Sequence, residues 1–552
     1  MRQFRILFGL FLFRVVDVEL LSAEADPEKL TGQIVTVLLS VSVLVSIPVL
    51  FLAGGLPERV ARVFEHFFIA TTMLVVGLFA VLSWDEVFPK LRDVLVLSPL
   101  PISSKTIFLA KIAALGAGLG VSIGTLNGVS GLLWPWLFAP AGSGIVGLLR
   151  AMTGFWLTLL MAAVFVFGAT LTMQGLAANV LPRRMFLRFS ALMQIVLFGV
   201  LVSVYVLEPS LESKAALSAA ANHRLLEWLP SYWFWGMFQQ LNGSTNGIPE
   251  LSWLAGRAWI SVGLALAGAT TTVMLNYFRT MQRVIEEPEI LSGRQRMFWR
   301  RGGPAQRAVI SFALQTISRS RRHRMILSFY VGTGFGVLLI LLRPSIGRPN
   351  KMPVALLAAS AVMLCMAVAA MRTVFSLPMK LEASWLFQVA ALEPANRYLK
   401  GVRSAFLLLA VAPVWCGFAV LLLTLLPWRA AAAHLVLLAM LGVMLTETCS
   451  GGFRKIPFTC SYRPGRGNLQ FAVWGALVLL PLTLVGANYE WMWLQLTRGP
   501  WILALAPALP AVGLRWWTSR RFRSASELLF EDVEEPPIVS LELTVDGAVQ
   551  TA

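Results

Sequence analysis

Trp84-Asp-Glu-Val-Phe-Pro-Lys-Leu-Arg-Asp-Val-Leu-Val-Leu-Ser-Pro-Leu-Pro101 and Arg372-Thr-Val-Phe-Ser-Leu-Pro-Met-Lys-Leu-Glu-Ala-Ser-Trp-Leu-Phe-Gln388 read as two versions of one design. The first runs on through Lys105 to Lys111, the second through Glu393-Pro394 to Lys400 and Arg403. Each couples a Val-Phe pair and a nearby proline to charged residues, a short amphipathic run, a proline punctuation and a basic re-entry into apolar sequence. Each also lies between apolar stretches of membrane-crossing length. The pair therefore points to a duplicated membrane protein with one elaborated loop per half.

Composition agrees with a membrane protein. Of 552 residues, 57% are hydrophobic and only 13% charged, with a mean hydropathy of +0.72. Soluble domains carry about 25% charged residues, so a water-soluble protein is excluded. The net charge of +18 belongs to cytoplasmic loops beside anionic lipid rather than to a nucleic-acid partner. Cys365 and Cys416 sit in apolar stretches, and Cys449 and Cys460 near one basic loop, with no C-x-x-C pair. Neither a disulfide framework nor a zinc site is implied. His66, His223, His323 and His434 are scattered singly and are expected to be structural.

A helix needs about 20 apolar residues to span the hydrocarbon. That rule yields twelve candidate spans: 34–56, 65–84, 106–137, 145–176, 187–207, 254–278, 325–343, 353–375, 404–427, 430–449, 469–487 and 500–517. With both termini cytoplasmic, most of the 46 lysines and arginines fall on the inner loops, as the positive-inside rule requires. Arg343, Arg348 and Lys351, on a short outer loop, dissent. The expected fold is an all-α polytopic membrane protein, with about 12 transmembrane helices in two six-helix halves. Residues 1–290 form the first half, 291–519 the second with its basic hinge, and 520–552 a partly disordered cytoplasmic tail.

Each half opens on an amphipathic surface helix. Met1-Arg-Gln-Phe-Arg, the apolar Ile6–Phe13 and Ala23-Glu-Ala25 imitate a signal peptide, but Arg14, Asp17 and Glu19 interrupt it. The charges recur on one side of a helical period, which favours a helix lying on the membrane. Ala308–Ile317 repeats the pattern inside the hinge 279–324, which carries eleven arginines. Segment 208–252 is the large outer loop. Its Trp228, Trp233 and Trp235 predict a helix lying on the outer surface, where aromatic residues favour the interface; a substrate gate is the alternative.

The chemistry is notable for what is missing. No Gly-x-x-x-x-Gly-Lys-Ser/Thr loop occurs, so nothing in the chain cradles a nucleotide by that route. Leu291-Ser-Gly-Arg-Gln295 is a chance match to an ATPase signature, since no ATPase domain fits in the hinge. There is no H-E-x-x-H or Asp-x-Asp, and the outer acids Glu58, Glu208, Glu212, Glu227, Glu250 and Glu490 read as isolated. An enzyme, a cofactor site and a metal site are therefore not expected. Ionisable residues cluster near span ends. Arg372 and Glu447 are the candidate intramembrane charges, as members of an ion pair or of a proton relay.

The surface helix before the first span, the six spans per half and the elaborated inner segments resemble the membrane subunits of type-2 ABC exporters. Residues 84–111 are similar to the cytoplasmic coupling segment of such permeases, where a short helix docks on an ATPase groove. Residues 372–403 and Ile456-Pro-Phe-Thr-Cys-Ser-Tyr-Arg-Pro-Gly465 look like parts of double-length permeases. The resemblance implies two copies of a separate ABC ATPase subunit, with ATP-Mg bound on that partner and a substrate near the midplane. It makes Lys90, Arg92, Asp93, Lys380 and Glu382 candidates for ATPase coupling. Known relatives dimerise around six spans, whereas twelve imply an internal pseudo-dimer. A bacterial cytoplasmic membrane is the expected location. The competing readings are an ion-coupled twelve-span transporter and a non-transporting membrane assembly factor. The first lacks the Gly-x-x-x-Asp-Arg pattern of major-facilitator proteins.

Overall fold

The computed structural model describes residues 2–15, 27–51, 57–83, 100–140, 142–181, 183–244, 248–286, 302–345, 348–379, 395–450, 456–459, 469–505 and 507–523. Among them every regular element is a helix. Hydrocarbon offers no hydrogen-bond partner, so each crossing segment must satisfy its backbone internally. Among the described residues eight helices are long and apolar enough to cross a membrane, which makes the chain an all-α polytopic membrane protein.

The first part of the chain comprises α1 (Arg2–Val15), α2 (Pro27–Ser46), α3 (Glu58–Leu82), α4 (Ser104–Asn127), α5 (Ser130–Leu133), α6 (Pro135–Phe138), α7 (Gly144–Val180) and α8 (Arg183–Leu207). Then come α9 (Lys214–Leu217), α10 (Ala220–Trp228), α11 (Pro230–Asn242) and α12 (Pro249–Glu286). The remainder comprises α13 (Pro304–Arg319), α14 (Arg321–Leu342), α15 (Met352–Ser376), α16 (Ala395–Phe406), α17 (Ala412–Leu425), α18 (Trp428–Ser450), α19 (Leu469–Leu494), α20 (Gly499–Leu505) and α21 (Ala508–Arg523). A π-helical turn, Leu407–Val411, joins α16 to α17. It directly precedes Pro413, which has no N–H to continue the α-helical ladder.

The anticipated spans 65–84, 145–176, 254–278, 325–343, 353–375 and 430–449 are each carried by a single long helix, and 404–427 by the end of α16, the π-helical turn and α17. The stretches 187–207 and 469–487 lie in helices α8 and α19, and of the stretch 34–56 residues 34–46 lie in α2 and Ile47–Phe51 continue as a 3-10 helix. The anticipated span 500–517 is instead divided into α20 and α21, of 7 and 16 residues, around Pro507. The anticipated span 106–137 also divides. Its helix ends at Asn127, and Ser130–Leu133 and Pro135–Phe138 continue as single turns around the fully buried Trp134.

Packing follows a regular scheme. The amphipathic α1 lies on α4, burying Leu7 and Phe11 against Ile107, Ala110 and Ala114 while Phe4, Ile6 and Leu10 stay exposed. In the same way α13 lies on α16, burying Val309, Ile310 and Ala313. Helix α3 packs on α7 and α8, and α15 packs on α18 and α19. Helix α7 runs against α12, and α18 against α21. The two parts of the chain meet where α8 packs on α14 and where α2 touches α19. At the first junction the Phe198 and Phe329 rings stand edge to face, 6.2 Å apart.

The outer-surface helix expected from Trp228, Trp233 and Trp235 is not what forms. Trp228 is 82% exposed, but α11 is driven into the protein between α3, α7 and α12. Tyr232, Phe234, Trp235, Met237 and Phe238 are all fully buried. Pro230 starts the helix and Gly243 ends it in the left-handed conformation at φ 78°, the usual helix stop. Burying five large side chains outweighs placing aromatics at an interface, because each removes about 150–250 Å² from solvent or lipid disorder when aromatic.

Gly236 lets α11 reach α12. A Cβ there would lie 2.7 Å from Leu254 Cβ and 2.9 Å from the Leu251 carbonyl. Overpacking of this kind costs about 1–3 kcal/mol. Gly236→Ala is therefore expected to lower the thermal midpoint of the detergent-purified protein. Gly256→Ala, on the same α12 with open space around it, should leave that midpoint unchanged.

Candidate functional site

Two buried polar clusters stand at opposite ends of the bundle. The first gathers around His66, on the third turn of α3. Its Nδ1 lies 3.1 Å from Glu212 Oε1 and its Nε2 3.5 Å from Glu208 Oε1, both residues lying just beyond the end of α8. All three side chains are almost completely buried. The ring stacks on Tyr232 of α11, centroids 4.1 Å apart.

Further bonds tie this cluster into one unit. Ser231 donates to the Glu208 carboxylate. The Tyr232 hydroxyl donates to the Pro209 carbonyl at 2.7 Å and accepts the Leu211 N–H at 2.9 Å. Next along α3, the buried Glu65 carboxylate accepts Trp235 Nε1 at 3.0 Å and the Gln239 amide, both from α11. One turn earlier Arg62 pairs with Glu58. Arg343, at the end of α14, donates to the Glu208 carbonyl at 2.9 Å, so the cluster also touches the second part of the chain.

Burial opposes ionisation of Glu212. The hydrogen bonds from His66, its own backbone N–H and Tyr232 outweigh that and hold its carboxyl below the ordinary range. Burial, with Glu212 and Glu208 adding to it, pushes the Tyr232 hydroxyl well above its usual value; it stays a neutral donor.

A second histidine–carboxylate pair lies at the same end of the bundle. His434 Nδ1 is 2.6 Å from Glu490 Oε1, and its Nε2 is 2.7 Å from Ser360 Oγ. His434, Ser360 and Glu490 join α18, α15 and α19.

At the other end, Glu447 is buried near the end of α18. Its Oε2 pairs with Arg403 of α16 at 2.7 Å and accepts the Thr518 hydroxyl of α21 at 2.7 Å. Arg403 also donates to Ser519 Oγ at 3.1 Å. Three helices are thereby pinned together. Arg372, at the end of α15, donates instead to the Cys449 carbonyl.

Of the intramembrane charges singled out from the sequence, Glu447 is a member of an ion pair, with Arg403. Lys90, Arg92, Asp93, Lys380 and Glu382 lie outside the described residues. Their flanks are described. Met379 N–H donates to the Phe458 carbonyl at 3.0 Å, and Phe458 N–H to the Phe375 carbonyl at 3.3 Å. The described parts of the two segments likened to double-length permeases, 372–379 and 456–459, therefore meet in space. Phe458 takes a left-handed backbone, φ 67°, with its ring buried against Phe312, His323 and Phe375.

The expectation that the outer acids are isolated is overturned. Glu208 and Glu212 converge on His66, Glu490 on His434, and Glu58 on Arg62. Glu208 and Glu212 are four residues apart at the end of an apolar stretch, which was the one local signal. Nothing in sequence joins them to a histidine more than 140 positions away. Among the described residues no group of three or more metal-ligating side chains is arranged to hold an ion.

No protein-family model, curated protein or solved structure matches the chain.

Removing one partner of a buried ion pair strands the other and costs about 3–5 kcal/mol, whereas replacing both by apolar groups is far milder. Arg403→Leu and Glu447→Leu are each expected to destabilise the protein more than the double variant does, measured as thermal midpoints in a double-mutant cycle. Glu212 adds an acid limb. Because its folded pKa is depressed, its stabilisation is complete above the ordinary carboxylate value of about 4.3 and is lost as pH falls through the lowered value. A melt series across that range should show this loss in the natural protein and a flatter limb in Glu212→Gln.

Proposed function

We propose that the chain is the membrane permease of an ATP-driven export complex whose ATPase is a separate polypeptide. It moves a substrate between two six-span halves related by internal duplication, twelve spans in all.

The observation that carries this reading is the repetition of helix pairings. An amphipathic helix opens each half and lies on that half's third span, α1 on α4 and α13 on α16. In each half the second span packs on the fourth and fifth, and the fourth on the sixth. The fifth span of each half meets the first of the other, α8 with α14 and α19 with α2. Such two-fold pairing supports a transporter built from repeats, in which substrate sits at the repeat interface. The halves also differ: α11 packs between the second, fourth and sixth spans of the first half only, and the sixth span is one helix there but two, α20 and α21, in the second half. Helix α14 runs against α15, whereas α2 packs chiefly on α4.

The chain carries no nucleotide-binding loop of the P-loop type, so the work of rocking the halves falls to a partner. The charged segments 84–99 and 380–394 are its docking elements in this reading. The second leads directly into α16, whose Arg403 pins α18 and α21 through Glu447 and Thr518. A push on that segment would reach three spans at once. In this reading the Glu447 end faces the cytoplasm and the His66 end the outside, an orientation that the excess of arginine and lysine on alternate loops supports.

An ion-coupled carrier is favoured by one observation, the buried His66–Glu208–Glu212 cluster. Against it, these groups stand at helix ends, whereas coupling ions in repeat-built carriers bind near the midplane.

The test is affinity purification of the tagged chain in mild detergent from its own membranes, with mass spectrometry of what accompanies it. A stoichiometric ABC ATPase is expected, and is expected to be lost when residues 85–99 or 380–394 are replaced by Gly/Ser linkers of equal length. Recovery of the chain alone, from membranes that contain such ATPases, would sink the reading.

A further inference from the structure

His66 presents a donor–acceptor problem that its surroundings answer. Each ring nitrogen faces a carboxylate oxygen, Nδ1 that of Glu212 at 3.1 Å and Nε2 that of Glu208 at 3.5 Å. A neutral imidazole has one N–H and one lone-pair nitrogen. With both carboxylates ionised, one of them would face a lone pair in a site closed to water. One proton beyond a neutral imidazole and two carboxylates, carried as imidazolium or as a protonated carboxyl, would remove that repulsion, and the buried Nε2, without a hydrogen-bond partner, is where it is needed.

The other groups around His66 do not supply that proton. On its own helix, Arg62 is engaged by Glu58, and Glu65 accepts from Trp235 and Gln239. From α11, Ser231 is bound to Glu208, and the Tyr232 hydroxyl divides its one proton between the Pro209 carbonyl at 2.7 Å and Glu212 Oε1 at 3.3 Å. From α8, Tyr205 is paired with Thr71 at 2.9 Å. From the second half, Arg343 reaches only the Glu208 carbonyl.

We infer that His66, Glu208 and Glu212 form a proton-binding site that latches α11 and the end of α8 onto α3, and that loss of this proton releases the latch. The occupant is one proton, shared between the imidazole and the two carboxylates. When it leaves, one ring nitrogen turns a lone pair on the carboxylate it faces, at 3.1 or 3.5 Å; repulsion pushes residues 208–212 off α3 and, through Ser231 and the Tyr232 ring, loosens α11. Because Arg343 holds the same Glu208 from α14, release also loosens the junction between the two halves. That this end faces the outside rests on the orientation proposed above; the latch itself does not.

The test is hydrogen exchange by mass spectrometry on the full chain in lipid nanodiscs, followed for amides 230–242 and corrected for intrinsic pH effects. In the natural protein, protection should fall about tenfold or more between about pH 6 and about pH 9, a window that takes in the ordinary histidine value of about 6.5. In His66→Gln the fall should shrink to what Glu65, bonded to Trp235 and Gln239 of α11, contributes, and with Glu65→Gln added it should vanish. In Glu212→Gln, which leaves the histidine a single carboxylate, the fall should move to lower pH. Flat protection in the natural protein would overturn the inference. So would an unchanged pH profile in Glu212→Gln, a variant that serves if His66→Gln does not fold. Neither result bears on ATPase recovery, so the latch and the export reading fail separately.

Discussion

Hydrocarbon cannot solvate a polar group, and the rest of this structure is arranged around that constraint. An unpartnered charge or hydrogen-bonding group inside a bilayer is costly, so it must be paired, neutralised or placed at a helix end. Here the buried ionisable side chains collect near the ends of the long helices. His66, Glu65, Glu208 and Glu212 do so at one end, with His434 and Glu490 beside the same face, and Arg403 with Glu447 at the other. Hydroxyls farther from the ends are turned back onto their own backbone, as Thr158 is on Gly154 and Thr170 on Val166.

Between the two polar ends, helices associate without a hydrophobic driving force, because lipid tails are as apolar as leucine. Close packing takes its place, and small residues make it available. The pair α7 and α12, of 37 and 38 residues, meets along such a seam. A Cβ on Gly175 would lie 2.4 Å from Thr272 Cβ, and one on Gly268 2.7 Å from Thr172 Cγ2. At about 1.5 Å per residue each helix is roughly 55 Å long, well beyond the hydrocarbon. That seam carries packing from one polar end of the bundle towards the other. Helix α11 closes the His66 end as an aromatic plug, held by bonds to Glu65 and Glu208.

These features give the proposed export cycle a physical outline. The Arg403–Glu447–Thr518 unit binds three helices at the end assigned to the ATPase, and the His66 unit binds α3, α8 and α11 at the end assigned to release. The spans between are stiff and apolar. A displacement at one end is then transmitted as rigid-body rocking, and the opposite end resists or yields according to whether its polar unit stays intact.

Sequence alone determined the class of this protein. Twenty-residue apolar stretches, the scarcity of charge and the uneven placement of arginine leave only a helical membrane protein, since a bilayer reads length and hydropathy locally. The amphipathic α1 and α13 were legible for the same reason, as was the ionisable character of Glu447. The partners were not. Arg403 meets Glu447 across 44 positions, and His66 meets Glu208 and Glu212 across more than 140. Neither match leaves a local periodicity. The aromatic run at 230–238 was misread because interface and core both favour such residues, and only neighbours such as Gly154, Leu251 and Leu254 decide between them. Hydropathy is a property of a segment and survives in sequence. Pairing is a property of two distant segments and exists only once the helices have packed.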